Sequence, residues 1–227
     1  MSVWQTQTWR KLLLAILISS AAGLACANRS SDQDALTELV PTLLIANTQP
    51  VLVIGDSLTD FSSGFALQSR LGPQYSVAFR GIINTDFNFW TGRLDETFAQ
   101  STAGPPVHIL VPLGTNDAFT LTPAQFIDRV TGFHRELRKQ SQARTYYFLM
   151  PETLIASLAP AIAANNTELR ARFAELFAGD DSVLIDLDTV FKNASPVPAL
   201  YSLEDPLHPT DSGYELMSIE MERAIRR

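Results

Sequence analysis

The chain carries a single cysteine, Cys26, so no disulfide can form within it. It has only three histidines, His108, His134 and His208, too few for the paired spacing that metal sites generally use. Positive charge is also scarce, with 17 lysines and arginines against 24 acidic residues and a formal net charge of −7. That balance argues against a nucleic-acid partner, which needs a basic patch to neutralise phosphates. The one small basic group, Arg135, Arg138 and Lys139, reads as the solvated face of a helix, with His134 on the same face. There is no low-complexity tract and no internal repeat. The N-terminal apolar stretch Leu12–Leu24 falls short of the ~20 residues that an ordinary membrane-spanning helix needs.

That stretch is preceded by Arg10-Lys11 and followed by Ala25-Cys26-Ala27, the basic, apolar and small-residue order of an export signal. Cleavage after Ala27 fits the pattern and predicts an extracytoplasmic protein, secreted or periplasmic. Gly23-Leu24-Ala25-Cys26 also resembles a bacterial lipoprotein signal, in which Cys26 would be lipidated and tether the protein to a membrane. Such signals usually carry an aliphatic residue where Gly23 stands and a small one where Leu24 stands, so plain cleavage fits better. Residues 28–49 turn from polar to amphipathic and read as a leader helix packed on the domain that follows, over residues 50–227.

In that domain short apolar runs alternate with helical stretches. Strands are predicted at Pro50–Ile54, Tyr75–Phe79, Val107–Leu113, Thr145–Met150 and Ser182–Leu187. Most lack polar alternation, as strands covered on both faces do. Helices are predicted at Phe65–Leu71, Phe89–Phe98, Pro123–Gln140, Thr167–Ala178 and Asp211–Ile225, the third opened by Thr122-Pro123 as N-cap and first turn. Five strands alternating with helices predict a three-layer α/β/α sandwich around a parallel sheet.

Two segments far apart carry nucleophile chemistry. Gly55-Asp56-Ser57-Leu58-Thr59-Asp60 places a serine where the apolar run Val51-Leu52-Val53-Ile54 gives way to a turn. Asp205-Pro206-Leu207-His208-Pro209 places an acid and an imidazole three residues apart in a proline-bounded loop. A serine hydroxyl becomes a useful nucleophile when a base takes its proton and a carboxylate orients that base. Ser57, His208 and Asp205 therefore predict a serine hydrolase, with Glu204 a weaker candidate than Asp205. His108, inside a strand, reads as structural. A third segment, Leu113-Gly114-Thr115-Asn116-Asp117, puts an amide side chain at the end of a central strand, where it can donate to an oxyanion, and the Ser57 N–H can join it.

Together the first, third and last segments resemble the SGNH (GDSL-type) hydrolase family over about residues 50–215. The resemblance implies a flavodoxin-like fold, Ser57 as nucleophile, His208 as base, Asp205 as its orienter and Asn116 as an oxyanion donor, with no metal or organic cofactor. The family also supplies a backbone N–H after the second strand. Here the segment is Arg80-Gly81-Ile82-Ile83-Asn84-Thr85-Asp86, so the donor is Gly81 or, alternatively, Asn84. Phe87, Phe89 and Trp90 wall the acyl site or belong to the core. The expected activity is hydrolysis of carboxylic (O-acyl) esters of small molecules, glycans or lipids, with a short acyl group. The alternatives are an O-acyltransferase with the same triad, a metal phosphoesterase built on Asp56, Asp60, Asp117 and His208, and a non-catalytic binding module.

Overall fold

The computed structural model describes residues 48–101, 104–194 and 200–227. The export signal, Cys26 and nearly all of the expected leader segment lie outside the described residues. Five parallel strands form one sheet: β1 (Gln49–Gly55), β2 (Tyr75–Gly81), β3 (His108–Val111), β4 (Arg144–Leu149) and β5 (Ser182–Asp186), in the order β2-β1-β3-β4-β5. Helices α1 (Ser57–Phe61), α2 (Leu67–Leu71), α3 (Phe87–Thr91), α4 (Leu94–Ala99), α5 (Pro123–Gln140), α6 (Ala159–Leu176), α7 (Leu187–Asn193) and α8 (Asp211–Ile225) complete the three layers. The sandwich expected from the sequence is the observed fold.

Side chains along a strand alternate between its faces, and the core divides accordingly. Val51, Val53, Leu110, Tyr146 and Phe148 pack against Leu67 and Leu71 of α2 and Met217, Met221 and Ile225 of α8. Leu52, Ile54, Ile109, Val111, Tyr147 and Leu149 pack against Phe87 and Trp90 of α3 and Phe126, Val130, Phe133 and Leu137 of α5. The last four recur at helical spacing, which is why that face of α5 meets the sheet. Thr122 and Gln125 close a reciprocal capping box at its start.

Several boundaries differ from expectation for physical reasons. The helix predicted at Phe89–Phe98 is two helices, α3 and α4, parted at Gly92-Arg93. The helix predicted from Thr167 begins at Ala159; its Ala- and Asn-rich first half has little apolar periodicity and so is not marked in the sequence. Short helices α1 and α7 have no counterpart among the predicted elements; each is opened by an aspartate N-cap, Asp56 and Asp186. Edge strand β2 is half-buried over most of its length, unlike the doubly covered β1.

The basic face of α5 also needs correction. Lys139 is exposed and pairs with Glu136, but Arg138 turns inward. Its guanidinium grips Asp180 and donates to the carbonyl of Ala143 at 2.9 Å. His134, expected in solvent, has a side chain only 13% exposed. It sits between the Tyr147 hydroxyl at 2.9 Å and Asp180 at 3.1 Å. Arg138 holds the Asp180 carboxyl down to about 2, and burial followed by Arg138 lowers His134. The cluster therefore ties α5 to the start of β5. His108 is half-buried and structural, held by Tyr146 at 2.9 Å and Gln49 at 3.2 Å.

Candidate active site

The chain leaves β1 for one edge of the sheet and returns on the other side of β1 as β3, so a crevice opens beyond the carboxyl ends of these two strands. Ser57 follows β1 as the first residue of α1. Asp56 caps that helix, its Oδ1 accepting the Leu58 N–H at 2.9 Å. The Ser57 Oγ lies 3.0 Å from His208 Nε2.

His208 is presented by a loop that its own aspartate organises. Asp205 Oδ1 accepts the backbone N–H groups of Leu207 (3.2 Å) and His208 (3.0 Å), while the Asp205 N–H donates to Ser202 Oγ at 2.8 Å. Wrapping the chain round this carboxylate brings His208 Nδ1 to 2.8 Å from Asp205 Oδ2. Partial burial opposes the Asp205 charge, but the His208 N–H, the imidazole and the Leu207 N–H together hold the carboxyl below its usual range. An ionised carboxylate can only accept, so Nδ1 carries the imidazole proton and Nε2 offers its lone pair to Ser57. Phe61 packs edge-on against the imidazole, with ring centroids 4.8 Å apart. Glu204 is exposed and takes no part.

Asn116 arrives on the loop after β3, where Gly114 adopts φ of +125°, a conformation that strains any residue with a Cβ. Its Nδ2 donates to the Thr85 carbonyl at 2.9 Å and to Asp56 Oδ2 at 3.2 Å. Thr85 is a site residue that the sequence does not mark. Its hydroxyl donates to the Ile82 carbonyl (2.7 Å) and accepts from Trp90 Nε1 (3.0 Å), so the core indole supports the turn that holds Asn116. Phe87 and Trp90 accordingly belong to the core.

Of the two second-strand residues, Gly81 has a packing reason to be glycine. A Cβ there would stand 2.7 Å from Asp60 Cα, so its absence lets α1 close on β2. Replacing Gly81 by Ala is expected to cost roughly 1–3 kcal/mol as α1 shifts, read by urea unfolding. Asn84 is exposed, with φ of +61°. Among the described residues, neither the Asn84 N–H nor the Ser57 N–H has an acceptor.

Beside Ser57 lie two carboxyls without an ion-pair partner among the described residues. Asp56 is 1% exposed and Asp117 is fully buried. Burial, then Asp117, pushes Asp56 up to about 7; burial, then Asp86, does the same to Asp117. Asp117 Oδ2 accepts the Phe87 N–H at 3.5 Å and Oδ1 has no partner. In the unfolded chain such a group ionises near 4, so its penalty on folding grows from about pH 4 to pH 7 and is complete above that. Asp117→Asn should therefore raise stability by a few kcal/mol at pH 8 and leave it nearly unchanged at pH 4, measured by chemical denaturation. The set Asp56, Asp60, Asp117 and His208 does not assemble as metal ligands; no such group of three forms among the described residues.

Exposed apolar side chains are concentrated on the chain segments that carry this site. Of the seven most exposed large ones among the described residues, five stand on the segments that carry it: Phe61, Ile82, Ile83, Phe119 and Leu203, the last 93% exposed.

No curated protein sequence matches the chain. Several solved structures are similar to it in fold. A lipase/acylhydrolase from Enterococcus faecalis superposes with a TM-score of 0.65 at 16% identity, covering 79% of this chain and 96% of that one. A member of the lipolytic G-D-S-L family from Veillonella parvula gives 0.64 at 17%, covering 79% and 100%. An acetyl xylan esterase gives 0.62 at 17%, covering 78% and 99%. The sequence profile of the GDSL-like lipase/acylhydrolase family matches residues 53–216, well over half of the chain. The chain belongs to that family of ester hydrolases.

Proposed function

We propose that the protein is an exported serine esterase that cleaves carboxylic esters through an acyl-Ser57 intermediate. The observation that carries this reading is the continuous line from Asp205 through His208 to Ser57, with 2.8 and 3.0 Å contacts. Ser57 Oγ attacks the ester carbonyl carbon while its proton passes to His208 Nε2. The tetrahedral intermediate collapses, and the same proton leaves with the alcohol. Water then repeats the sequence, His208 taking its proton and returning it to Ser57 as the acid departs. Asp205 keeps the imidazole oriented and stabilises its positive charge in both halves.

The oxyanion is received by Asn116 Nδ2 and by the Ser57 N–H, which has no other acceptor among the described residues. Asn84 is the better second-strand donor, because its N–H is also without an acceptor while the glycine at Gly81 is explained by packing. The apolar rim supports a longer acyl chain than the short one expected from the sequence. Phe119→Ser should lower kcat/KM for an octanoyl ester about tenfold, equivalent to ~1.4 kcal/mol of lost apolar contact, and leave an acetyl ester within about twofold. Equal losses on both esters would remove the rim from the acyl site.

Ser57→Ala tests the whole reading. The variant should keep its secondary structure and unfolding midpoint while ester turnover falls to background. Turnover at the wild-type rate would refute Ser57 as nucleophile.

A further inference from the structure

Asn116 is placed to donate to an oxyanion, yet both hydrogens of its amide are already engaged. One goes to the Thr85 carbonyl at 2.9 Å and the other to Asp56 Oδ2 at 3.2 Å. The Thr85 carbonyl is a permanent acceptor. The Asp56 carboxyl is not, because its appetite for an N–H depends on its protonation. Oδ1 is committed to capping α1 through Leu58, so the atom that faces Asn116 is the one whose character can change.

We propose that Asp56 is a proton-operated latch on the oxyanion donor: as a carboxylate it holds the second Asn116 N–H, and as a carboxylic acid it releases it to the substrate. This rests on the esterase reading and on Asn116 as oxyanion donor, and it adds Asp56 as a positioning residue that acts through Asn116. Deep burial makes the two states differ sharply. A buried carboxylate with no cationic partner draws strongly on whatever donors remain, whereas the acid form has no need of a second one. The exchange falls in a working range because burial and the neighbouring Asp117 bring Asp56 to about 7.

Among the described residues, the titratable and charged groups around Asp56 are few. Asp117, from the turn after β3, opposes its charge. The buried Tyr214 hydroxyl of α8 has no hydrogen-bond partner among the described residues, and burial, then the charges of Asp56 and Asp205, keeps that phenol protonated across the neutral range. Across Ser57 stands the His208–Asp205 pair. Asp86 and Arg129 reach the cluster through Asp117, with opposite signs.

The two proton-linked events then pull in opposite directions. His208 must be neutral to act as base, so activity falls on acidification. Asp56 must be protonated to free Asn116, so activity also falls on the alkaline side. Losing one oxyanion donor typically costs 10²–10³ in kcat, which sets the depth of the alkaline fall at about a hundredfold before it levels.

The test is a set of kcat and KM profiles from about pH 5 to 10 for wild type, Asp56→Asn, Asn116→Ala and the double variant. Asparagine at position 56 still caps α1 through its carbonyl but turns a donor, not an acceptor, toward Asn116. Expected is an alkaline fall of about a hundredfold in wild-type kcat with KM nearly constant, absent from Asp56→Asn. Asn116→Ala should be slow at every pH and lack the alkaline fall, and adding Asp56→Asn to it should change nothing. An alkaline fall that survives in Asp56→Asn, or its absence from wild type, overturns the latch. A fall that survives in Asn116→Ala overturns it too, since the Asp56 charge would then act on the oxyanion directly.

Should Asp56→Asn fail to fold, the wild type still decides. A trifluoromethyl ketone forms a hemiketal oxyanion with Ser57, and its inhibition constant should weaken about a hundredfold above neutral pH in wild type but not in Asn116→Ala; equal pH dependence in both rejects the proposal. Failure of the esterase reading itself shows separately, as full activity in Ser57→Ala.

Discussion

Replacing His208 by alanine is expected to lower kcat for ester hydrolysis by about a million-fold. Nucleophile and base act as one unit, so removing the base costs nearly as much as removing the whole triad. Asp205→Asn should cost less, about ten-thousandfold, because serine and imidazole both remain while the imidazole loses the carboxylate that fixes its tautomer. His208 sits in a loop and its side chain contributes little to the core, so the unfolding midpoint of His208→Ala should stay within a few degrees of wild type. Steady-state kinetics on a single activated ester, beside thermal unfolding, measures both. A loss of only tenfold in His208→Ala would mean that another group takes the Ser57 proton, and none stands within reach of Ser57 Oγ among the described hydrogen bonds.

The second large effect is on stability. Trp90→Ala should cost about 3–5 kcal/mol, the usual range for removing a large buried aromatic side chain. Trp90 is among the largest fully buried residues and lies in the cluster between the sheet and helices α3 and α5. It also donates its indole N–H to Thr85 Oγ1 at 3.0 Å, so the truncation leaves that buried hydroxyl short of a donor. The consequence reaches the site, because the Thr85 carbonyl is what anchors Asn116. Trp90→Phe, which keeps most of the volume but not the N–H, separates the two contributions. It should recover most of the stability by urea denaturation while leaving kcat below wild type. If Trp90→Phe is indistinguishable from wild type in kcat, the indole hydrogen bond does not support the oxyanion side.

The strands and long helices are legible in the sequence because their signals are local. Continuous apolar runs mark the three inner strands, and the spacing of Phe126, Val130, Phe133 and Leu137 alone identifies the buried face of α5. Helix α8 is equally plain in its bounds. The short helices are not, because α1 and α7 are too brief to show a period and depend on their aspartate caps and tertiary packing. His134 and Arg138 mislead for a related reason. A polar or charged residue on a helix suggests solvent, and partners distant in sequence, Asp180 and Tyr147 among them, make burial tolerable.

In the site itself, Ser57, Asp205, His208 and Asn116 stand out because unusual residue types fall at turns after strands or in proline-bounded loops. The fold brings all four to one end of the sheet. Their supporting partners are silent in the sequence. Thr85 acts through its main-chain carbonyl, which any residue type offers, so no sequence pattern marks it. Asp56 is visible as a capping residue, but its grip on Asn116 joins segments that only the sheet order places side by side.

The most direct measurement is intact mass of the protein after reaction with a fluorophosphonate, with Ser57→Ala treated in parallel and the adduct mapped by peptide sequencing. An activated Ser57 should take a single adduct within the peptide that contains Gly55-Asp56-Ser57, and the variant should take none. A well-folded wild type that stays unlabelled, or a variant that labels as fast as wild type, would contradict a nucleophilic Ser57 driven by His208.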